Sequence, residues 1–307
     1  MLPLVVERIT SESSDIVSIE LVDPSGALLP AWAPGAHIDV QLITRHQRQY
    51  SLCGDPADLR SYRIAVLREE FSRGASMYIH DYLSVGRTIY VAPPRNLFPV
   101  LPSAEYLLLA AGIGITPILP MAKALAQSGS EWSMHVAVQD DAHLPFRDEL
   151  TALGDRVTIN SRDRAGRLDL TALLAAPRPG LTVYTCGPAR FTDAVTEAML
   201  HWPANSLHLE RFEPKVGVFR PNAEFTLKTA RSGLEIPVPP YLTTLQALNA
   251  AGVPVTGSCV RGVCGSCAIR VVGGKAEHRD SLTTDEDSTV MYPCVSRSLT
   301  DELVVDL

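Results

Sequence analysis

The sequence predicts a multidomain α/β and β chain in three parts: a small antiparallel β-barrel or sandwich, a parallel α/β sheet, and a β-rich domain around one helix. Residues 1–102 carry the first signal, short β-type runs ("DIVSIELVD", "HIDVQLI", "YRIAVLRE", "TIYVAPP") separated by turn residues. Residues 103–212 carry the second, apolar strands alternating with helical stretches on short links. The third follows the polar, proline-bearing stretch 213–222, "EPKVGVFRPN", which reads as a linker. From 223 to 307 several strands surround a single helical segment.

Element by element, helical pattern in the first part is confined to "ASMYIHDYL". In the second part "YLLLAA" is a buried strand, followed by a glycine turn and a helix from Pro117. Proline suits a first helical position, where its missing N–H costs nothing. "MHVAVQ", a helix around "FRDELTAL", "RVTIN", "LTVYTC", a helix from about Ala189 to His201 and "SLHLER" continue the series. In the third part "EFTLKTA" and "LEIPV" suggest a hairpin, and Thr243 or Thr244 can cap a helix over "TLQALNAAG". The strand-like runs "AIRVV", "TVMYPCV" and "ELVVDL" close the chain.

Composition narrows the function. With 46% hydrophobic and 20% charged residues, the 307-residue chain is globular rather than disordered. Its net charge of −7 and scattered basic residues argue against nucleic-acid binding. The N-terminus "MLPLVVERIT" has no basic region before a long apolar core, so no signal peptide is expected. The longest apolar run, 106–122, is broken by two glycines and two prolines and is too short to span a bilayer. The expectation is a cytoplasmic protein with no membrane partner.

Six cysteines stand at 53, 186, 259, 264, 267 and 294. Disulfides suit small secreted domains, so a tight group in a chain of this size points to metal or redox chemistry. "GSCVRGVCGSC" (257–267) spaces its cysteines as Cys259-x4-Cys264-x2-Cys267, with Cys294 far downstream. That is the plant-type [2Fe–2S] ligand spacing. Gly257, Gly262, Gly265, Ser258 and Ser266 let backbone N–H groups approach anionic sulfur. Zinc knuckles need paired C-x2-C motifs, and only one is present. A Rieske centre needs two histidines, and His278 is the sole one nearby.

Residues 223–307 resemble a plant-type ferredoxin domain of β-grasp fold. Such a cluster passes single electrons, and two motifs in residues 1–102 resemble the source. "RQYS" (Arg48, Gln49, Tyr50, Ser51) resembles the R-x-Y-S signature of ferredoxin–NADP reductase-type flavin domains. A tyrosine ring can pack on the isoalloxazine, while arginine and serine serve phosphate and ring polar atoms. "SRGAS" (Ser72–Ser76) precedes a helix start, where Arg73, Gly74 and Ser76 suit a flavin phosphate. With "AVLRE" upstream and "PRNLFPV" (94–100) downstream, the stretch resembles the FMN domain of the phthalate dioxygenase reductase family. That resemblance puts the backbone of Ala65, Val66 and Leu67 against the flavin. "SRGAS" departs from it in having alanine where the family frequently has a second glycine.

"AAGIGITP" keeps Gly112 and Gly114 of a dinucleotide fingerprint but has Pro117 at the third glycine position. G-x-G-x-x-P is the pattern of reductase nicotinamide domains, with Gly112, Gly114, Ile115 and Thr116 near the pyrophosphate. "TCGP" matches the family's C-G-P element, which would set Cys186, Gly187 and Pro188 beside the nicotinamide. Asp140 or Asp141 in "VQDD" could accept from a ribose 2′-hydroxyl and repel a 2′-phosphate, which favours NADH. Phe212 of "HLERF" is the candidate aromatic residue against the flavin. Cys53, His37, His46 and His208 read as structural.

The order flavin, nicotinamide, cluster is what the phthalate dioxygenase reductase family implies, including vanillate demethylase reductase components. The resemblance implies NADH, FMN and [2Fe–2S] as the electron path, with Cys186 and Ser51 at the reacting centre. It implies a monomer that meets a Rieske-type terminal oxygenase transiently in aromatic catabolism. Another acceptor, a soluble ferredoxin or a haem monooxygenase, is the alternative, and an iron–sulfur redox sensor a more remote one. Arg261 and "DEDS" (285–288) are candidate docking charges.

Overall fold

A computed structural model describes residues 1–42, 47–69, 74–214, 217–283 and 287–307. They form two compact units, Met1–Glu210 and Arg211–Leu307. The first unit holds two sheets, a barrel and an α/β layer.

The first sheet contains β1 (Leu2–Ser11), β2 (Ile16–Val22), β3 (Ala36–Gln41), β4 (Gln47–Ser51), β5 (Ser61–Leu67), β6 (Thr88–Val91) and β7 (Arg95–Asn96). Its antiparallel order is β4-β3-β6-β1-β2-β5, with β7 paired to β3. A bridge from Leu52 to Ile64 joins its two ends and closes it as a barrel. Leu4, Ile19, Leu21, Ile38, Leu52, Tyr62 and Ile64 fill the interior and are completely buried. This settles the barrel over the sandwich. One short helix, α1 (Ala75–Asp81), follows β5.

The second sheet contains β8 (Glu105–Ala111), β9 (Glu131–Val138), β10 (Val157–Ser161), β11 (Leu181–Cys186) and β12 (Leu207–Glu210). Its helices are α2 (Ile115–Gln127), α3 (Arg147–Ala152), α4 (Arg162–Ala165), α5 (Leu170–Leu173) and α6 (Ala189–Ala198). All strands are parallel in the order β10-β9-β8-β11-β12. The chain order reverses between β8 and β11, and the crevice at the carboxyl ends of such a pair is where α/β sheets bind ligands. β8 is apolar on both faces, as a central parallel strand must be. A 3₁₀ turn over Gly112–Gly114 runs directly into α2, so Pro117 is its third residue rather than its first. Its missing N–H still falls within the first turn, where no helical partner exists.

The second unit contains β13 (Phe225–Thr229), β14 (Glu235–Val238), β15 (Ile269–Gly273), β16 (Ala276–Glu277), β17 (Val290–Met291), β18 (Arg297–Ser298), β19 (Glu302–Val305) and helix α7 (Thr244–Ala250). The mixed sheet runs β14-β13-β19-β15-β17, with β16 and β18 as a separate pair. α7 lies against β14 and buries Leu245, Ala247 and Leu248, the β-grasp arrangement. Thr243 caps α7 with a reciprocal Gln246 capping box. Residues 219–222 are tied to this unit. Arg279 donates to Asn222 Oδ1 at 2.7 Å and to the Arg220 carbonyl at 2.9 Å, and its guanidinium lies 5.4 Å over the Phe219 ring. Among the described residues no helix is long and apolar enough to cross a membrane.

Candidate functional site

Three sets of expected residues converge in the first unit. β4 delivers Arg48, Gln49, Tyr50 and Ser51, in register with β3. Gln49 donates to Asp39 Oδ1 at 2.9 Å, and Arg95 holds the same carboxylate at 2.8 Å, so this side chain stiffens the barrel wall. Tyr50 packs on the barrel core, and burial pushes its hydroxyl pKa up. Ser51 is buried, and its Oγ has no hydrogen-bond partner. The Leu52–Ile64 bridge sets this motif beside Ala65, Val66 and Leu67 of β5. His80 of α1 bonds the Val66 carbonyl at 3.0 Å, and the Ser76 hydroxyl accepts from Glu69 N at 3.3 Å. Gly74, at φ 100°, begins α1. Ser72, Arg73 and His46 lie outside the described residues.

At the sheet's switch point the turn after β8 meets the turn after β11. A Cβ on Gly114 would sit 2.2 Å from the Cys186 carbonyl oxygen and 2.5 Å from Gly187 N. A Cβ on Gly187 would sit 2.9 Å from Ala111 Cβ. Both glycines are therefore required by the close approach of the two turns. Cys186 is completely buried, and burial pushes its thiol pKa well up, so it stays protonated and is no nucleophile.

Beside Cys186, in strand register, stands Glu210, a residue the sequence reading passed over. Burial raises its carboxyl pKa to about 8, and the Ser51 hydroxyl, close by but outside hydrogen-bonding geometry, opposes the rise only weakly. Glu210 Oε2 has no hydrogen-bond partner, and neither has the buried Thr185 Oγ1. The sequence did carry a signal: a charged residue ending a sheet strand two positions before Phe212. Ser51, Thr185 and Glu210 thus leave buried polar atoms unsatisfied where the flavin and nicotinamide motifs adjoin. Native folds rarely leave such atoms without a partner, so these residues fit a polar ligand's edge.

Asp140 is differently employed. Its Oδ1 accepts from Ala142 N at 2.9 Å and from His143 Nδ1 at 2.6 Å, which holds its pKa down. Asp141 pairs with Arg164. Both acids stand at the carboxyl end of β9, beside the turn rather than in the buried crevice. His208 stacks on Tyr184 at 4.9 Å, and Cys53 is fully buried, so both pack as structural residues. Phe212 is half-buried and belongs to the second unit.

The second unit gathers the other four cysteines, none of them in a disulfide. Their thiols interact in two pairs, Cys259 with Cys264 and Cys267 with Cys294. Cys259 is half-exposed and the other three are buried. Backbone donors surround them: Arg261 N lies 3.3 Å from Cys259 Sγ, and Ser266 N lies 3.4 Å from Cys264 Sγ. The Gly262 amide faces Cys294. Cys264 is held well below the ordinary thiol range by Cys259 and by the Ser266 hydroxyl and amide. Gly262, at φ 72°, touches the chain of Asp280, and a Cβ there would lie 3.0 Å from Asp280 Cα. Asp280 is buried and accepts from Leu282 N, Thr283 N and Ser296 Oγ, which pins the loop behind the sulfurs. Two thiol pairs ringed by amides fit two irons with two protein ligands each. Arg261 is half-buried in the loop, while Asp285 and Glu286 lie outside the described residues.

Residues 227–298 match the family model of 2Fe-2S iron-sulfur cluster binding domains. Phthalate dioxygenase reductase of Burkholderia cepacia is 37% identical, over 95% of this chain and 93% of its own. A solved phthalate dioxygenase reductase, described as a modular structure for electron transfer from pyridine nucleotides to [2Fe-2S], covers the whole chain at TM-score 0.73, 36% identity and 98% of its own length. An intact type IV self-sufficient cytochrome P450 monooxygenase also matches the whole chain, at TM-score 0.93 and 38% identity. This chain spans only 41% of that protein.

Proposed function

The chain belongs to the phthalate dioxygenase reductase family, and on that premise we propose that it is the reductase component of a two-component Rieske-type oxygenase. It is an oxidoreductase using NADH, FMN and a [2Fe–2S] cluster, of the kind that delivers electrons to oxygenases. When bound, FMN would supply two-electron hydride acceptance from NADH, and the cluster one-electron transfer to the acceptor.

The observation that carries this reading is the meeting of Ser51, Cys186 and Glu210, where three motifs far apart in sequence adjoin. Ser51 and the neutral Glu210 carboxyl offer hydrogen bonds to ring polar atoms, and the compact Cys186 thiol leaves room for the nicotinamide face. Arg48, Gln49, Tyr50 and the Ala65–Leu67 backbone would hold the FMN ring, with Arg73, Gly74 and Ser76 at its phosphate. Gly112, Gly114, Ile115, Thr116, Gly187 and Pro188 would hold the dinucleotide, whose 2′-phosphate form Asp140 and Asp141 would repel. Cys259, Cys264, Cys267 and Cys294 would ligate the cluster. The functional modules would be 1–102, 103–212 and 223–307, joined by 213–222, in a cytoplasmic monomer that meets its oxygenase transiently.

The likeness to a self-sufficient P450 supports a second reading, a haem oxygenase as acceptor. Steady NADH-dependent ferricyanide reduction by the flavin- and iron-loaded protein tests the common core, and its absence would sink it. Turnover with a purified Rieske oxygenase, against turnover with a haem oxygenase, decides the acceptor. The Cys294→Ser variant is expected to lose the visible cluster spectrum while NADH still bleaches the flavin. A normal cluster in that variant would overturn the ligand assignment.

A further inference from the structure

One ion-paired group in the first unit spans both of its sheets. Glu149 of α3 takes two parallel hydrogen bonds from Arg63 of β5, Nη1 to Oε1 and Nη2 to Oε2, each 2.8 Å. Lys123 of α2 pairs with the same carboxylate. The three side chains are only 17%, 25% and 29% exposed in the order Arg63, Glu149, Lys123. Arg63 Nη2 also donates to the Cys53 carbonyl at 2.6 Å, two residues past Ser51. Its guanidinium lies 5.0 Å over the ring of Phe146, a buried residue held at φ 54° immediately before α3.

Arg63 and Lys123 stand on elements that carry parts of the proposed site, and Glu149 of α3 binds both. β5 carries Ala65–Leu67, the Cys53 carbonyl ends the segment that begins at Arg48, and α2 grows from the Gly112–Gly114 turn. A bidentate guanidinium–carboxylate pair fixes orientation as well as distance. A left-handed backbone at a bulky aromatic residue persists only where its surroundings over-determine it. An exposed ion pair would be too weak for such a task, but this one is largely withdrawn from solvent.

We propose that Arg63, Glu149 and Lys123 are positioning residues that set the spacing of the barrel's flavin edge from the sheet's nicotinamide crevice. The inference rests on the function proposed above. None of the three touches a reacting atom. Hydride transfer depends steeply on donor–acceptor distance, so a loosened clamp should slow the step while the nucleotide still binds.

The test is anaerobic flavin bleaching of the loaded protein by NADH over a range of NADH concentrations. In Glu149→Gln the limiting rate is expected to fall about tenfold, with half-saturation moved less than about twofold and FMN content unchanged. Arg63→Lys keeps the charge but loses the fork, and should show the same split. Lys123→Gln leaves the bidentate pair intact and should show a smaller loss of the same kind, which carries the test if Glu149→Gln does not fold. Wild-type limiting rates in Lys123→Gln and Arg63→Lys, or losses that follow FMN content or denaturation midpoint, would overturn the inference. Wild-type protein that NADH cannot bleach would instead overturn the proposed function.

Discussion

Glu210 shows how a single side chain can record the presence of a site. A carboxyl with no partner on Oε2 and a pKa raised to about 8 is costly to keep in a folded protein unless it serves a ligand. Its ordinary value is 4.5, so between those limits the folded state holds a proton that the unfolded chain releases. Folding stability from this group is therefore lost as pH rises from about 4.5 to about 8, and is constant above. Glu210→Gln should remove that slope. In flavin-free protein, the variant's denaturation midpoint should gain on the wild type across this window, and a constant difference would refute the assignment. Nothing local in "HLERF" reveals the shift, because it arises from burial beside Cys186, a residue on a different strand.

At the scale of elements, legibility followed the range of the interactions. The cysteine loop, the glycine turns and the Thr243 cap were readable because each is specified within about ten residues. The Arg63–Glu149 pair was not, since it joins residues 86 apart and no local pattern encodes it. The β8 and β11 turns lie between these cases. G-x-G and C-G-P each look like an ordinary turn, and only their contact explains why both need glycine. Gly114→Ala would force a methyl group to 2.2 Å from the Cys186 carbonyl, a backbone group that cannot swing aside as a side chain can. The expected cost is about 2–3 kcal/mol of stability, with weakened NADH binding measured by flavin bleaching. Wild-type stability and affinity would mean that the two turns separate freely.

At the scale of the whole molecule, division into two units carries its own consequence. The first unit has its barrel core of Leu4, Ile38 and Ile64 and its sheet core of Leu109, Val183 and Val195. The second has a core of Leu227, Leu248 and Leu303. Residues 219–222 are anchored within the second unit through Arg279. Every residue of the Arg63–Glu149–Lys123 group, and every described flavin and nicotinamide candidate except Phe212, precedes Arg211. Residues 1–212 expressed alone should fold, retain FMN and be bleached by NADH at a limiting rate within about twofold of the full chain, because the clamp that sets hydride geometry is wholly retained. The cluster's absorbance should be absent. A product that folds but binds no FMN would mean that the second unit completes the flavin site. A bleaching rate lowered well beyond that range, with FMN in place, would mean that the second unit shapes the hydride geometry that the clamp is proposed to set.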